Sequence, residues 1–130
     1  MRENVEIVQA ALAAYNRRDV DGVFTDFAPD LEVDLSRAAG PQKGMYKGHA
    51  IRGVLEDFFD TWETFRVEPH DFIEAGDDVI VPWTVHAEGR SGIEVRARPT
   101  WIFTVRDGAI QRICMYQELE DALTAAGVSK

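Results

Sequence analysis

Three side chains in this sequence could move or hold a proton beside an apolar surface: Asp71, Asp34 and Tyr15. Asp71 follows a stretch in which Phe65, Val67 and Ile73 set one alternating phase, and that phase places it with the apolar residues. A carboxylate among apolar neighbours loses hydration, its pKa climbs toward neutrality, and it becomes a general base. Phe72 competes for the same side and Pro69 breaks the alternation, so the placement turns on a bulge near Pro69. Asp34, in Leu31-Glu32-Val33-Asp34-Leu35, has the polar phase of its strand. It is either a solvated or interface carboxylate, or an acid re-aimed by a bulge. Tyr15 falls on the apolar face of the first helical stretch, where its hydroxyl either enters a cavity or bonds a backbone carbonyl.

Other chemistry finds little support. His49, His70 and His86 form no i,i+4 pair and no HExxH, and zinc needs three or four ligands, so neither metal nor cofactor is expected. Cys114 is the lone cysteine, has the outward phase between Ile113 and Met115, and reads as an inert thiol. Arg96 and Arg98 share one strand face and read as partners of acids.

Strand parity supplies a binding wall instead. If the apolar phase faces a cavity, Trp83 points inward on one strand, Trp101 and Phe103 on the next, and Met115 and Gln117 on the last. An aromatic and aliphatic wall with a few polar groups is the design of a small-molecule site, and the competing reading is plain core packing. Gln117 adds an uncharged hydrogen-bonding group. Tyr46 lies on a long loop that could close over the mouth, and Trp62, ending the third helical stretch, completes the ligand-binding candidates.

The elements that must position these residues follow from period and punctuation. Val5, Val8, Leu12 and Tyr15 recur at helical steps. Asp19 caps a second helix expected over Val20 to Phe27 and ended by Pro29. Leu31 to Leu35 alternates as a strand, Ser36 to Gly48 reads as a loop, and Ile51, Val54, Leu55, Phe58, Phe59 and Trp62 mark a third helix. The period then becomes two. Strands are expected over Phe65 to Ala75, Val79 to Glu88, Ile93 to Arg106 and Ala109 to Gln117, with Asp107-Gly108 a strong hairpin signal. A short helix, Leu119 to Ala126, ends at Gly127. Helices segregated from an antiparallel meander describe an α+β domain.

At 130 residues the sequence is one domain's worth, 1–130, without repeats. Its net charge of −9 opposes phosphate backbones and anionic lipid, so nucleic acid and membrane are poor partners. One cysteine excludes an internal disulfide, no secretory signal is evident at the start, and no apolar run reaches the ~20 residues of a membrane span. A cytoplasmic protein is expected.

The order of elements resembles the NTF2-like superfamily, and particular residues narrow it to SnoaL-like and ketosteroid-isomerase-like proteins. They are Ala13-Ala14-Tyr15-Asn16 before Asp19, Asp34-Leu35-Ser36, Tyr46-Lys47-Gly48-His49, Ile73 through Val79, Ser91-Gly92, Arg106-Asp107-Gly108 and the Ala125-Ala126-Gly127 ending. The resemblance implies a cone-shaped fold with an internal pocket and a homodimer through the sheet's outer face. Of the family's known machinery little is carried over. The isomerase-like base falls on Leu35, its tyrosine near Ala11 and its donor acid on Trp101; the epoxide-hydrolase-like triad falls near Trp83, Val85 and Met115. Two functions remain open: proton-transfer catalysis (isomerase, cyclase or hydrolase) on a small hydrophobic ring compound, and non-catalytic ligand binding or dimeric interaction.

Overall fold

A computed structural model describes residues 3–38 and 43–128. Helix α1 (Asn4–Asn16) buries Ile7, Val8, Ala11, Leu12 and Ala14, the stripe its periodicity requires. Helix α2 (Val20–Phe24) is capped by Asp19, whose carboxylate accepts the Gly22 N–H at 3.0 Å. It stops at Phe24, short of the expected Phe27, and Pro29 is not its terminator. Pro29 sits inside strand β1 (Phe27–Asp34), because Phe27 is captured by pairing with Ile110 across the sheet. The register breaks between Phe27 and Glu32, where a proline cannot donate.

The expected loop from Ser36 contains a strand, β2 (Met45–Lys47), antiparallel to β1 with Tyr46 opposite Val33. Residues 39–42 of that loop lie outside the described residues. Helix α3 (Ala50–Thr61) follows, and Trp62 opens strand β3 (Trp62–Pro69) instead of closing the helix. The single strand expected over 65–75 is two, β3 and β4 (Ile73–Ala75), parted at 70–72. Strand β5 (Asp78–Gly89) is continuous. The strand expected over 93–106 is again two, β6 (Glu94–Ala97) and β7 (Thr100–Arg106). Asp107 and Gly108, at φ 54° and 76°, make the tight turn into β8 (Ala109–Tyr116). Helix α4 (Leu119–Ala125) ends before Gly127, at φ 76°.

The sheet runs β2-β1-β8-β7-β5-β3, with β4 and β6 also on β5; β1–β8 is its parallel pair. The first half of β5 pairs with β4 and β7, and the second half with β3 and β6. This curved, open sheet packs its concave face on α1, with Val79, Val81, Trp83, Phe103, Val105 and Ile113 in the main core. On its convex face Ile80, Ile102 and Cys114 are covered by Ala122 of α4. The sidedness read from parity is therefore the one the structure has.

Candidate functional site

Between the concave face and the helices lies a cavity of about 350 Å³. Of the residues singled out from the sequence, Tyr15, Trp83, Trp101, Phe103, Met115 and Gln117 line it. The sheet contributes aromatic rings in contact: Trp83 and Trp101 at 5.1 Å between centroids, Trp101 and Phe103 at 6.4 Å. The helices add apolar side chains, including Leu55 and Phe58 of α3 and Val23 of α2, and Phe65 of β3 joins them. These were not among the sequence candidates. Their signal was present, since Ile51, Val54, Leu55 and Phe58 recur at helical spacing, but that stripe does not say whether it meets a core or a hollow.

Tyr15 stands at the centre of an aromatic cluster, with Phe65 at 5.0 Å, Phe59 at 5.4 Å, Trp83 at 6.2 Å and Phe58 at 6.3 Å. Its ring opens onto the cavity, and desolvation by the surrounding protein pushes the phenol above its ordinary range, so it stays protonated. No hydrogen bond to its hydroxyl is formed among the described residues. The backbone carbonyl partner considered for it is absent there, and the hydroxyl is the one ionisable group on the wall. Gln117, at the end of β8, donates its amide N–H to the Arg37 carbonyl at 2.6 Å, so half of its polar capacity ties down the loop.

Four candidates stand elsewhere. Asp71 is exposed and outside the cavity; its carboxylate accepts the Phe72 N–H at 2.8 Å. The gap between strands at 70–72 turns Phe72 onto the main core and leaves Asp71 in solvent, since the ring gains far more from burial than a carboxylate could. Asp34 is buried but on the convex side, paired in register with Cys114. Burial pushes its pKa up, yet bonds from Ser36 N at 3.0 Å, Ser36 Oγ at 2.6 Å and Arg37 at 3.1 Å outweigh this and hold it low. A carboxylate so committed is no base. Tyr46 packs against the core from β2 without reaching the cavity wall. Trp62 also lies off the wall, edge-on to Phe58 at 6.4 Å and against Gly89.

The remaining titratable groups serve structure. His70 Nε2 lies 2.6 Å from Thr84 Oγ1, His49 stacks on Phe24, and burial raises the Cys114 thiol above its usual value. Among the described residues no three His, Cys, Asp or Glu come together as a metal site. A second hollow, of about 420 Å³ on the outer face, is polar, and its groups pair across it: Arg112 with Glu32 at 3.9 Å, Thr104 with Asp78 at 2.6 Å. No helix among the described residues is long and apolar enough to cross a membrane.

The chemistry of the main cavity is therefore apolar enclosure with one protonated phenol and, at its edge, the uncharged Gln117 amide. An ion placed there without a partner would forfeit hydration worth several kcal/mol, roughly more than the 1.5–3 kcal/mol of one hydrogen bond to a charged group.

Comparison with known proteins agrees with this architecture. No curated protein matches the chain. Among solved structures, TerC co-crystallised with polyporic acid is 25% identical, covering 95% of this chain and 98% of that one at a TM-score of 0.78. An NTF2-like protein of Burkholderia thailandensis is 24% identical, covering 96% and 98% at a TM-score of 0.80. A candidate polyketide cyclase of Xanthomonas campestris is 25% identical, covering 95% and 96% at a TM-score of 0.71. The SnoaL-like domain family matches residues 8–113, and with the cone-shaped α+β fold this makes the chain a member of the SnoaL-like family within the NTF2-like fold.

Proposed function

We propose that the protein holds a small, uncharged, ring-containing molecule in the cavity between sheet and helices. The observation that carries this reading is a wall of aromatic and aliphatic side chains with Tyr15 as its one ionisable group among the described residues. Proton-transfer catalysis would need a base that the lining residues do not supply, so ligand holding is the favoured reading and the isomerase, cyclase or hydrolase reading the second. A similar protein co-crystallised with polyporic acid and another described as a candidate polyketide cyclase support a small organic molecule as ligand. Titration with steroid-like and polyphenolic compounds is expected to quench Trp83 and Trp101 fluorescence saturably. At a hundred times Kd the ligand should add about 2.7 kcal/mol of stability. No quenching and no thermal shift across such a set would sink the reading.

The working unit under this reading is a cytoplasmic homodimer joined through the outer face of the sheet. Support comes from charge. Arg66, His86 and Arg96 stand side by side across β3, β5 and β6, next to a row containing Thr64, Glu88 and Glu94. A two-fold axis between the rows and parallel to them sets each basic row on the partner's acidic row.

A further inference from the structure

We infer that the cavity sorts weakly acidic ring compounds by protonation state, accepting the neutral hydroxyl form and rejecting its anion; this rests on the ligand-holding reading above. Among the described residues the lining includes no lysine, arginine or histidine, and no carboxylate. Around Tyr15, every packed element presents an uncharged group: Phe58 and Phe59 from α3, Phe65 from β3 and Trp83 from β5. Two nearby guanidinium groups are committed elsewhere. Arg37 bonds Asp34 at 3.1 Å and lies 4.4 Å over the Tyr116 ring, and Arg18 donates to the carbonyls of Phe59 and Glu63. The indole N–H groups of Trp83 and Trp101 have no partner, but they are buried beneath the wall's surface and present no donor to the hollow.

Among the described residues an anion entering this space meets no countercharge and only neutral polar groups, the Tyr15 hydroxyl and the Gln117 amide already tied to Arg37, while a net charge of −9 opposes its approach. A neutral phenol or enol can exchange one hydrogen bond with Tyr15 and bury its ring against Trp83 and Phe65 at no such cost. By linkage, a site that binds only the protonated form raises the ligand's pKa, so affinity is constant below the ligand's free pKa and declines tenfold per unit above it. The cavity adds no titration of its own near neutrality, because burial keeps Tyr15 protonated.

The test pairs 7-hydroxycoumarin, which ionises just above neutrality with a change of absorption, with its methyl ether, 7-methoxycoumarin, which does not ionise. Binding of both is measured by tryptophan quenching across that range. Two pH units above the phenol's pKa, 7-hydroxycoumarin is expected to lose ~100-fold in affinity. The ether should bind equally throughout, and the bound phenol should keep the neutral form's spectrum. An ether that binds alongside a phenol whose affinity is flat or rises on ionisation overturns the inference alone. Neither coumarin binding at any pH, with no response across the steroid-like and polyphenolic set, overturns the ligand-holding reading and the inference with it.

Discussion

At Asp34 three donors converge on one carboxylate: the Ser36 N–H, the Ser36 hydroxyl and the Arg37 guanidinium. Arg37 in turn covers Tyr116, and its carbonyl receives Gln117, so this acid anchors the start of the 35–44 loop beside the end of β8. The role is structural, and its pH dependence has a definite sign. Burial raises the carboxyl's pKa, but the three bonds outweigh it and lower the folded value below the unfolded one. The stabilisation is therefore complete above the ordinary carboxylate pKa and is lost as pH falls through the depressed folded value. Asp34→Asn is expected to cost about 1–2 kcal/mol at neutral pH, between an exposed ion pair and a buried charged hydrogen bond. Urea denaturation of both proteins at neutral pH and in acid checks this: the gap should close in acid. A gap that persists there would show that the charge is not what the site uses.

Among the elements, three prolines share one level of the sheet. Pro69 stands opposite Trp83, Pro82 opposite Thr100, and the Pro99 carbonyl receives the Trp83 N–H at 3.2 Å. None of the three can donate to a ladder, so the pairing of β5 changes partners there, from β4 and β7 to β3 and β6. This seam falls at Trp83, on the wall of the hollow, and separates β3 from β4 and β6 from β7. At the outer edge of β3, Asn16 closes what a neighbouring strand would have closed. Its Oδ1 accepts the Val67 N–H at 2.8 Å and its Nδ2 donates to the Val67 carbonyl at 3.0 Å. The side chain thus mimics a strand and locks α1, with Tyr15, to the wall. Asn16→Ala leaves two edge groups without partners and is expected to cost about 1–3 kcal/mol. The readout is the denaturation midpoint, and an unchanged midpoint would remove Asn16 from this role.

For the whole molecule, net charge and its local arrangement pull in different directions. A surface at −9 keeps copies apart at long range, whereas the adjacent basic and acidic rows on β3, β5 and β6 are self-complementary at contact. The expected mass in sedimentation equilibrium is twice the 14.6 kDa of one chain. Arg96→Glu, which places a third acid beside Glu88 and Glu94 on an exposed strand, should shift it toward one chain without unfolding. A wild-type protein at 14.6 kDa over the whole concentration range would exclude the dimer.

Local rules were enough for much of this protein. Helical spacing located α1 and α3, the Asp107-Gly108 pair located the β7–β8 hairpin, and period-two alternation gave the inward faces of β5, β7 and β8. Each depends on neighbours within a few residues. What depends on partners distant in sequence appeared only in three dimensions. Tyr46 joined a strand because β1 offered it an edge. Phe72 took the interior that Asp71's phase had suggested, and α3 supplied Ile51, Val54, Leu55 and Phe58 to a wall that the strands alone could not close. The three prolines were plain in the sequence, but alternation within one strand carries no information on register between strands. Only the paired sheet brings them to one seam.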